Sequence, residues 1–148
     1  MQWSAWLIAV ATFVSLAGCV DDQQALRSSE PSYTMVFFAS GSASLSKQAR
    51  QQISDAVTNP TPPIRAALQA DSKSRICVTG HSDNTGPETI NREFGQRRAD
   101  AVAKYLVELG VPQQRILTNS LGSSKPLVVT PPNTPEISNR RVEVVFGC

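Results

Sequence analysis

The chain has 148 residues and a formal net charge of +2, a length typical of one domain with or without a tail. Its lysines and arginines are dispersed along the sequence. A nucleic-acid surface normally needs clustered basic residues with interleaved aromatics, so the composition argues against nucleic acid as a partner. Hydrophobic residues make up 41% of the chain, which is enough to support a core.

The N-terminal segment is an apolar run from Trp6 to Gly18, followed by Cys19. It is shorter than the roughly 20 apolar residues of a spanning helix and has the length of a signal-peptide core. Its ending, "LAGC", resembles the bacterial lipoprotein signal, which implies acylation of Cys19 after cleavage. The alternatives are an ordinary signal peptide and a buried helix. We predict a signal peptide at 1–18, a lipidated N-terminus and flexible tether at 19–32, and a folded domain at 33–148.

Export would place the domain in an oxidising compartment, where cysteines pair. If Cys19 carries lipid, only Cys77 and Cys148 remain. We therefore predict a disulfide between them, the alternative being two unpaired thiols.

Alternating and β-branched stretches predict four strands, at 33–39, 75–81, 115–122 and 140–146. Apolar residues at helical spacing predict a helix after an N-cap at Ser46 and a short helical extension at 64–70. A brief helical stretch is predicted from Pro87 to Glu93, where Gly95 interrupts it. A longer helix then begins at Gly95 and ends before Gly110.

This order, β-α-β-α-β-β, predicts an α+β fold with one mixed parallel and antiparallel sheet of four strands and helices packed on one face. The last strand is expected to run antiparallel to a neighbour. If that neighbour is the second strand, Cys77 approaches Cys148 at one end of the sheet.

The sequence favours binding over catalysis. His81 is the only histidine, and its neighbours Ser82 and Asp83 point to alternate sides of an extended segment, so they form no triad with it. Zinc needs three or four ligands, which this chain does not supply. We predict no catalytic residues, no metal and no cofactor, and interpret His81 as a strand-end residue with a structural hydrogen bond.

Two arginines follow the predicted helix start at Gly95, where the backbone is already partly positive. A helical wheel directs Arg97 to water and Arg98 to the border between core and solvent. Arg98 beside free helix N–H groups would form a carboxylate receptor. Asp83, at the end of the second strand, adds the opposite charge. The pair suits a zwitterion, the alternative being that Asp83 only caps its loop or pairs with Arg98.

The stretches "GHSDNTG", "GQRRADAV", "SLGSSKP" and "NRRVEV", in this order over residues 34–146, resemble the OmpA-like peptidoglycan-binding domain. The resemblance implies non-covalent binding to meso-diaminopimelate in the peptidoglycan stem peptide. Asp83 would meet its amine and Arg98 its carboxylate. Thr85 and Asn91 match polar contact positions, and Arg140 matches a further carboxylate contact.

One departure concerns the first strand, where Ala39 replaces an aspartate that often lines the family's pocket. A second expectation concerns stability. We expect Asp83 and Arg98 to lie outside the core, so that their substitution abolishes binding without unfolding the domain.

The expected location is the outer membrane, facing the periplasm, because Val20 follows Cys19 where enteric lipoproteins retained in the inner membrane carry aspartate. The predicted function is therefore a lipid anchor joined to a wall-binding module. The alternative is a peptidoglycan-anchoring subunit of a larger secretion or motor complex. The sequence does not indicate a protein partner.

Overall fold

The computed structural model of the protein describes residues 32–69 and 74–148. It contains four strands, β1 (Tyr33–Phe37), β2 (Ile76–His81), β3 (Ile116–Gly122) and β4 (Arg141–Phe146). Its α-helices are α1 (Lys47–Thr58), α2 (Pro62–Gln69) and α3 (Glu88–Glu108). The predicted signal peptide, Cys19 and almost all of the predicted tether lie outside the described residues.

The four strands form one mixed sheet in the order β1-β4-β2-β3. β4 lies between β1 and β2 and runs antiparallel to both, whereas β2 and β3 are parallel. The predicted α+β fold with a mixed four-stranded sheet is confirmed. Each strand is one or two residues shorter than predicted, because the first ends two residues early and the other three begin one residue late.

The core lies on one face of the sheet, under α1 and α3. Val142 of β4 stands opposite Val36 of β1, and Val144 stands opposite Val78 of β2, so these four valines share a face. All four are fully buried, together with apolar residues of α1 and α3. Because side chains alternate along a strand, the other face carries partly exposed residues, among them Tyr33, Phe37 and Leu117.

The helix boundaries follow local signals. The Ser46 hydroxyl accepts a bond from the Ala49 N–H at 3.1 Å, which caps α1. At the end of α3, Gly110 adopts a positive φ of 94°. The Val111 N–H then reaches back to the Leu106 carbonyl at 3.0 Å. This is the Schellman arrangement that glycine permits.

The predicted interruption at Gly95 is wrong, because α3 runs without a break for 21 residues from Glu88 to Glu108. Gly95 serves instead to bring the helix close to β2. A Cβ placed on Gly80 would lie 1.8 Å from the Gly95 carbonyl oxygen, and one on Gly95 would lie 3.0 Å from the Gly80 carbonyl oxygen. The two glycines therefore allow backbone-to-backbone packing that any side chain would prevent.

The C-terminus closes the far end of the sheet. Cys77 in β2 and Cys148, just beyond β4, are joined by a disulfide, with their Cα atoms 6.0 Å apart. The antiparallel pairing of β2 with β4 brings them together, and the Gly147 and Cys148 N–H groups both bond to the Arg75 carbonyl. In the chain-entropy model, a link across 71 residues of sequence stabilises a fold by about 4 kcal/mol.

Candidate functional site

Asp83 lies on the loop that leaves β2. The Ser82 N–H bonds to the Gly122 carbonyl of β3 at 2.9 Å and holds the start of this loop against the sheet. Asp83 is 4% exposed. Its Oδ1 accepts bonds from the Thr85 hydroxyl at 2.5 Å and the Thr85 N–H at 3.4 Å. The loop thus orients a buried carboxylate towards the start of the neighbouring strand β4.

Arg140 meets that carboxylate from the start of β4. Its Nη1 lies 2.7 Å from Asp83 Oδ2, and its Nε donates to the Phe38 carbonyl at 3.2 Å. The antiparallel register explains the meeting, because Gly80 stands opposite Val142, which brings the end of β2 to the start of β4. Burial raises the pKa of Asp83, but hydrogen bonds from Thr85 and Arg140 outweigh it and hold that pKa below its ordinary 3.8.

Arg98 enters the same region from the third turn of α3 and is 2% exposed. Its guanidinium donates to three backbone carbonyls, those of Ser42 at 2.9 Å, His81 at 2.9 Å and Ala39 at 3.5 Å. The Phe38 and Phe94 rings lie 5.5 and 5.8 Å from its central carbon, within the range of a cation–π contact.

The charge of Arg98 is influenced by both of the other charged groups. Burial and the positive charge of Arg140 lower the pKa of Arg98 to about 10, although Asp83 acts in the opposite direction. The guanidinium therefore remains protonated at pH 7. Among the described residues, no carboxylate comes within salt-bridge distance of it.

Two expectations for Arg98 are wrong. It does not lie at a helix start, because α3 begins ten residues earlier, so free helix N–H groups do not contribute to the site. The expectation that Arg98 and Asp83 lie outside the core is also wrong, because both side chains are buried in the interior. The error follows from the misassigned break at Gly95. The prediction for Arg97 is confirmed in geometry, because its side chain is 60% exposed and pairs with Glu93.

Asn91 is buried on the first turn of α3, where its Nδ2 donates to the Gly86 carbonyl at 3.4 Å. It therefore supports the far end of the Asp83 loop, and its only side-chain bond within the described part of the chain is this one. The structure brings Asp83, Thr85 and Arg140 into direct contact, with Arg98 beside them and Asn91 behind the loop.

Two asparagines that sequence reasoning missed hold the rim of the site. Asn139 is buried, accepts from the N–H groups of Leu127 and Val128 at 2.8 and 2.9 Å, and donates to the Val128 carbonyl at 2.7 Å. Asn84 joins the Asp83 loop to the Pro131 carbonyl at 2.8 Å and to the Thr134 N–H at 3.0 Å. Their positions beside Asp83 and Arg140 in the sequence were the available signal.

His81 ends β2 as predicted, and its ring approaches the Lys125 backbone, but neither ring nitrogen makes a hydrogen bond of standard geometry within the described residues. Its side chain is buried on the face of the sheet away from α1 and α3, with Nε2 3.7 Å from Glu143 Oε1. Burial, then the charge of Arg141, lowers the pKa of His81 below its ordinary 6.5, with Glu143 opposing them. The imidazole is thus neutral at pH 7.

No helix among residues 32–69 and 74–148 is long and apolar enough to cross a membrane. The same part of the chain contains no group of three or more histidine, cysteine or acidic side chains arranged to hold a metal ion.

The site residues lie in a segment that matches a known family. The family model of the OmpA family matches residues 37–141. The chain belongs to the OmpA family, which confirms the resemblance seen in the sequence.

Curated relatives match about half of this chain. The peptidoglycan-binding protein ArfA of Mycobacterium bovis is 41% identical over 80 residues, covering 54% of this chain and 24% of ArfA. The peptidoglycan-associated lipoprotein of Buchnera aphidicola is 39% identical over 75 residues, covering 51% of this chain and 43% of the relative. The outer-membrane lipoprotein YfiB of Pseudomonas aeruginosa is 35% identical, covering 55% and 49%. The chain thus spans less than half the length of these relatives.

Solved structures agree on the fold. The peptidoglycan-associated lipoprotein of Burkholderia pseudomallei is 27% identical with a TM-score of 0.63, over 75% of this chain and 87% of that one. The C-terminal domain of Helicobacter pylori MotB is 23% identical with a TM-score of 0.61, over 78% and 84%. The latter likeness concerns the fold alone.

The environment of His81 predicts a pH dependence of stability. Because its pKa is lower in the folded state than in the unfolded chain, the unfolded chain binds a proton first as the pH falls. We expect the free energy of unfolding to hold above pH 6.5 and to decline below it, by at most about 1.4 kcal/mol per pH unit for one group. Urea unfolding between pH 5 and 7 measures the slope. His81→Phe, which keeps a ring and cannot titrate, should flatten it, and equal slopes would contradict this account.

Proposed function

We propose that this protein binds peptidoglycan non-covalently through the diaminopimelate of the stem peptide. It would thereby tether the cell wall to the outer membrane. The observation that carries the proposal is one largely enclosed site in which the Asp83 carboxylate pairs with the Arg140 guanidinium at 2.7 Å, while the buried Arg98 guanidinium lies beside them with only carbonyl partners among the described residues. A carbon bearing both an ammonium and a carboxylate complements such a pair of charges. The names of the relatives, a peptidoglycan-binding protein and a peptidoglycan-associated lipoprotein, agree with it.

In this proposal Asp83 receives the ligand's ammonium, because it is the buried anion of the site. Arg98 and Arg140 receive the carboxylate. Thr85 fixes the Asp83 carboxylate by its two bonds to Oδ1. Asn91 holds the loop that carries both residues. The activity that we propose for the site is binding and not catalysis.

We infer that the ligand approaches past Ala39. This residue is exposed, yet its carbonyl oxygen lies 3.5 Å from Arg98 Nη2. Phe38, one residue earlier, provides the carbonyl for Arg140. The end of β1 thus connects the surface with both guanidiniums.

The anchoring half of the proposal concerns residues that the structure does not describe. We propose a signal peptide at 1–18, acylation of Cys19, a tether to residue 32, and the binding domain at 33–148. The "LAGC" motif supports it, as do the relatives named as lipoproteins. The alternative, a subunit of a larger envelope machine, gains no support from the MotB likeness, which extends to the fold alone.

Wall binding should depend on the buried charges and not on the exposed one. In a pull-down of the full chain in detergent with insoluble diaminopimelate peptidoglycan, Asp83→Asn should weaken retention at least about 30-fold, since losing one charged partner costs about 2–5 kcal/mol. Asparagine keeps the shape of the side chain. Arg97→Ala is the matched control and should bind as the wild type does.

Arg98→Ala needs a stability measurement beside the pull-down, because it removes three bonds to carbonyls from a buried position. A folded Arg98→Ala variant that binds the wall as well as the wild type would contradict the site. Wild-type retention on lysine-type peptidoglycan equal to that on the diaminopimelate type would contradict the ligand.

The anchor is tested separately by fractionating cells. The wild type should be recovered in outer-membrane fractions, because each buried methylene contributes about 0.8 kcal/mol and two or more acyl chains anchor stably. Cys19→Ala should be released in soluble form after the wall is digested. A Cys19→Ala variant that stays in the membrane after digestion would overturn acylation as the anchor.

A further inference from the structure

β1 forms one edge of the sheet, with β4 as its inner neighbour. In an antiparallel pair, residues alternate between exchanging two hydrogen bonds with the neighbouring strand and exchanging none. The N–H of Phe38, just after β1, bonds to the Arg140 carbonyl at 2.8 Å, so the even-numbered positions of this segment bond to β4. The N–H and carbonyl groups of Tyr33, Met35 and Phe37 therefore point away from the sheet.

This edge is open and unprotected. Its outward backbone groups have no partner among the residues that the structure describes. Such an edge pairs readily with another strand unless charged side chains or proline block it. From Ser32 to Ala39 the segment contains neither a charged residue nor a proline. Tyr33 and Phe37 are 43% and 41% exposed on the open face of the sheet, which is the face away from α1 and α3.

The outward groups of β1 are complementary to those of a second β1. If two copies lie antiparallel with Met35 opposite Met35, Tyr33 of each copy stands opposite Phe37 of the other. Each outward N–H of one copy then meets an outward carbonyl of the other, and none is left over. A register shifted by two residues takes Tyr33 or Phe37 past the end of the opposite strand.

The side chains agree with this register. Tyr33 and Phe37 lie on the same face of the sheet, so the pairing brings an aromatic ring of one copy beside an aromatic ring of the other, twice. No like charges meet. The two copies are related by a two-fold axis perpendicular to the sheet, which keeps the helices of both copies on one face.

We propose that β1 is a homodimerisation edge, at which two copies of this chain join their sheets in antiparallel register centred on Met35. The joined sheet has the strand order β3-β2-β4-β1-β1-β4-β2-β3. β1 leads through Phe38 and Ala39 to the candidate site, so the two sites lie at opposite ends of the paired strands. The proposal does not depend on the ligand of that site.

The size of the contact decides how it is measured. A five-residue edge is small beside the roughly 1,200–2,000 Å² of stable interfaces. We therefore expect short-lived pairs, which covalent cross-linking captures and which dilution in solution would separate.

The test uses the full chain in cells, oxidised mildly and analysed on a non-reducing gel. Met35→Cys should form a dimer of twice the mass, because the proposed register places the two Cα atoms about 5.5 Å apart, within reach of a disulfide. Leu117→Cys is the matched control and should stay monomeric, since Leu117 is as exposed as Phe37 but lies on the opposite edge strand. The wild type, with Cys77 and Cys148 joined to each other, should also stay monomeric.

The register is tested with Tyr33→Cys and Phe37→Cys on two differently tagged chains. Co-expressed, these chains should cross-link to each other. Each expressed alone should not, because identical positions lie four residues apart along the paired strands, about 13 Å at 3.3 Å per residue. If Met35→Cys does not accumulate as folded protein, this pair of exposed positions decides the question by itself.

A charge on the edge should prevent the pairing. Phe37→Lys added to Met35→Cys should reduce the cross-linked dimer at least about tenfold, whereas Leu117→Lys added to it should leave the dimer unchanged.

Three results would overturn the proposal. Folded Met35→Cys that remains monomeric is the outcome expected if another segment of the chain or another protein covers the edge. Equal dimer from Leu117→Cys would show random collision in place of strand pairing. Dimer from Tyr33→Cys expressed alone would refute the register centred on Met35.

Discussion

The Arg98 guanidinium ties together the three segments that meet at the site. From α3 it reaches the carbonyls of Ala39 and Ser42 after β1 and of His81 at the end of β2. These bonds fix the distance between the helix and the carboxyl ends of two strands. The Asp83 loop begins one residue after His81, so its starting point depends on the same guanidinium.

This arrangement in turn requires the close contact between α3 and β2. Gly80 and Gly95 allow the two backbones to meet without side chains between them, and Arg98 follows one helical turn later on the buried face. A larger residue at either glycine would move the helix outwards and draw the guanidinium away from the carbonyls. Gly80, Gly95 and Arg98 therefore act together to place a positive charge inside the domain.

Much of the sheet could be predicted from the sequence, because alternation along β4 and the punctuation by glycine and proline are local signals. The continuity of α3 could not. Glycine is unfavourable in an isolated helix, and only the presence of Gly80 across the interface explains why it is tolerated. Because the predicted helix begins at Gly95, the helical wheel places Arg98 at the border between core and solvent and does not predict that it is buried.

The candidate site likewise has some features that the sequence predicts and others that it does not. The meeting of Asp83 with Arg140 follows from strand order and antiparallel register, which the sequence made accessible. The bonds from Arg98 to three backbone carbonyls depend on loop conformations that leave no regular pattern in the sequence. The same is true of the bonds by which Asn84 and Asn139 support the rim of the site. His81 shows a further limit, since a histidine in a strand does not reveal whether its ring nitrogens have partners.

The central claim is that a ligand carboxylate binds the Arg98 guanidinium in this site. The most direct test is a nuclear magnetic resonance titration of the full chain in detergent micelles with the free-acid diaminopimelate tripeptide, following the Arg98 Nε resonance. We predict that this resonance and the amides of Asp83 and Thr85 shift with a single saturation curve, while those of Tyr33 and Leu117 on the open face of the sheet do not move. A saturating titration that leaves the Arg98 Nε resonance in place, or that shifts the open face instead, would contradict the account.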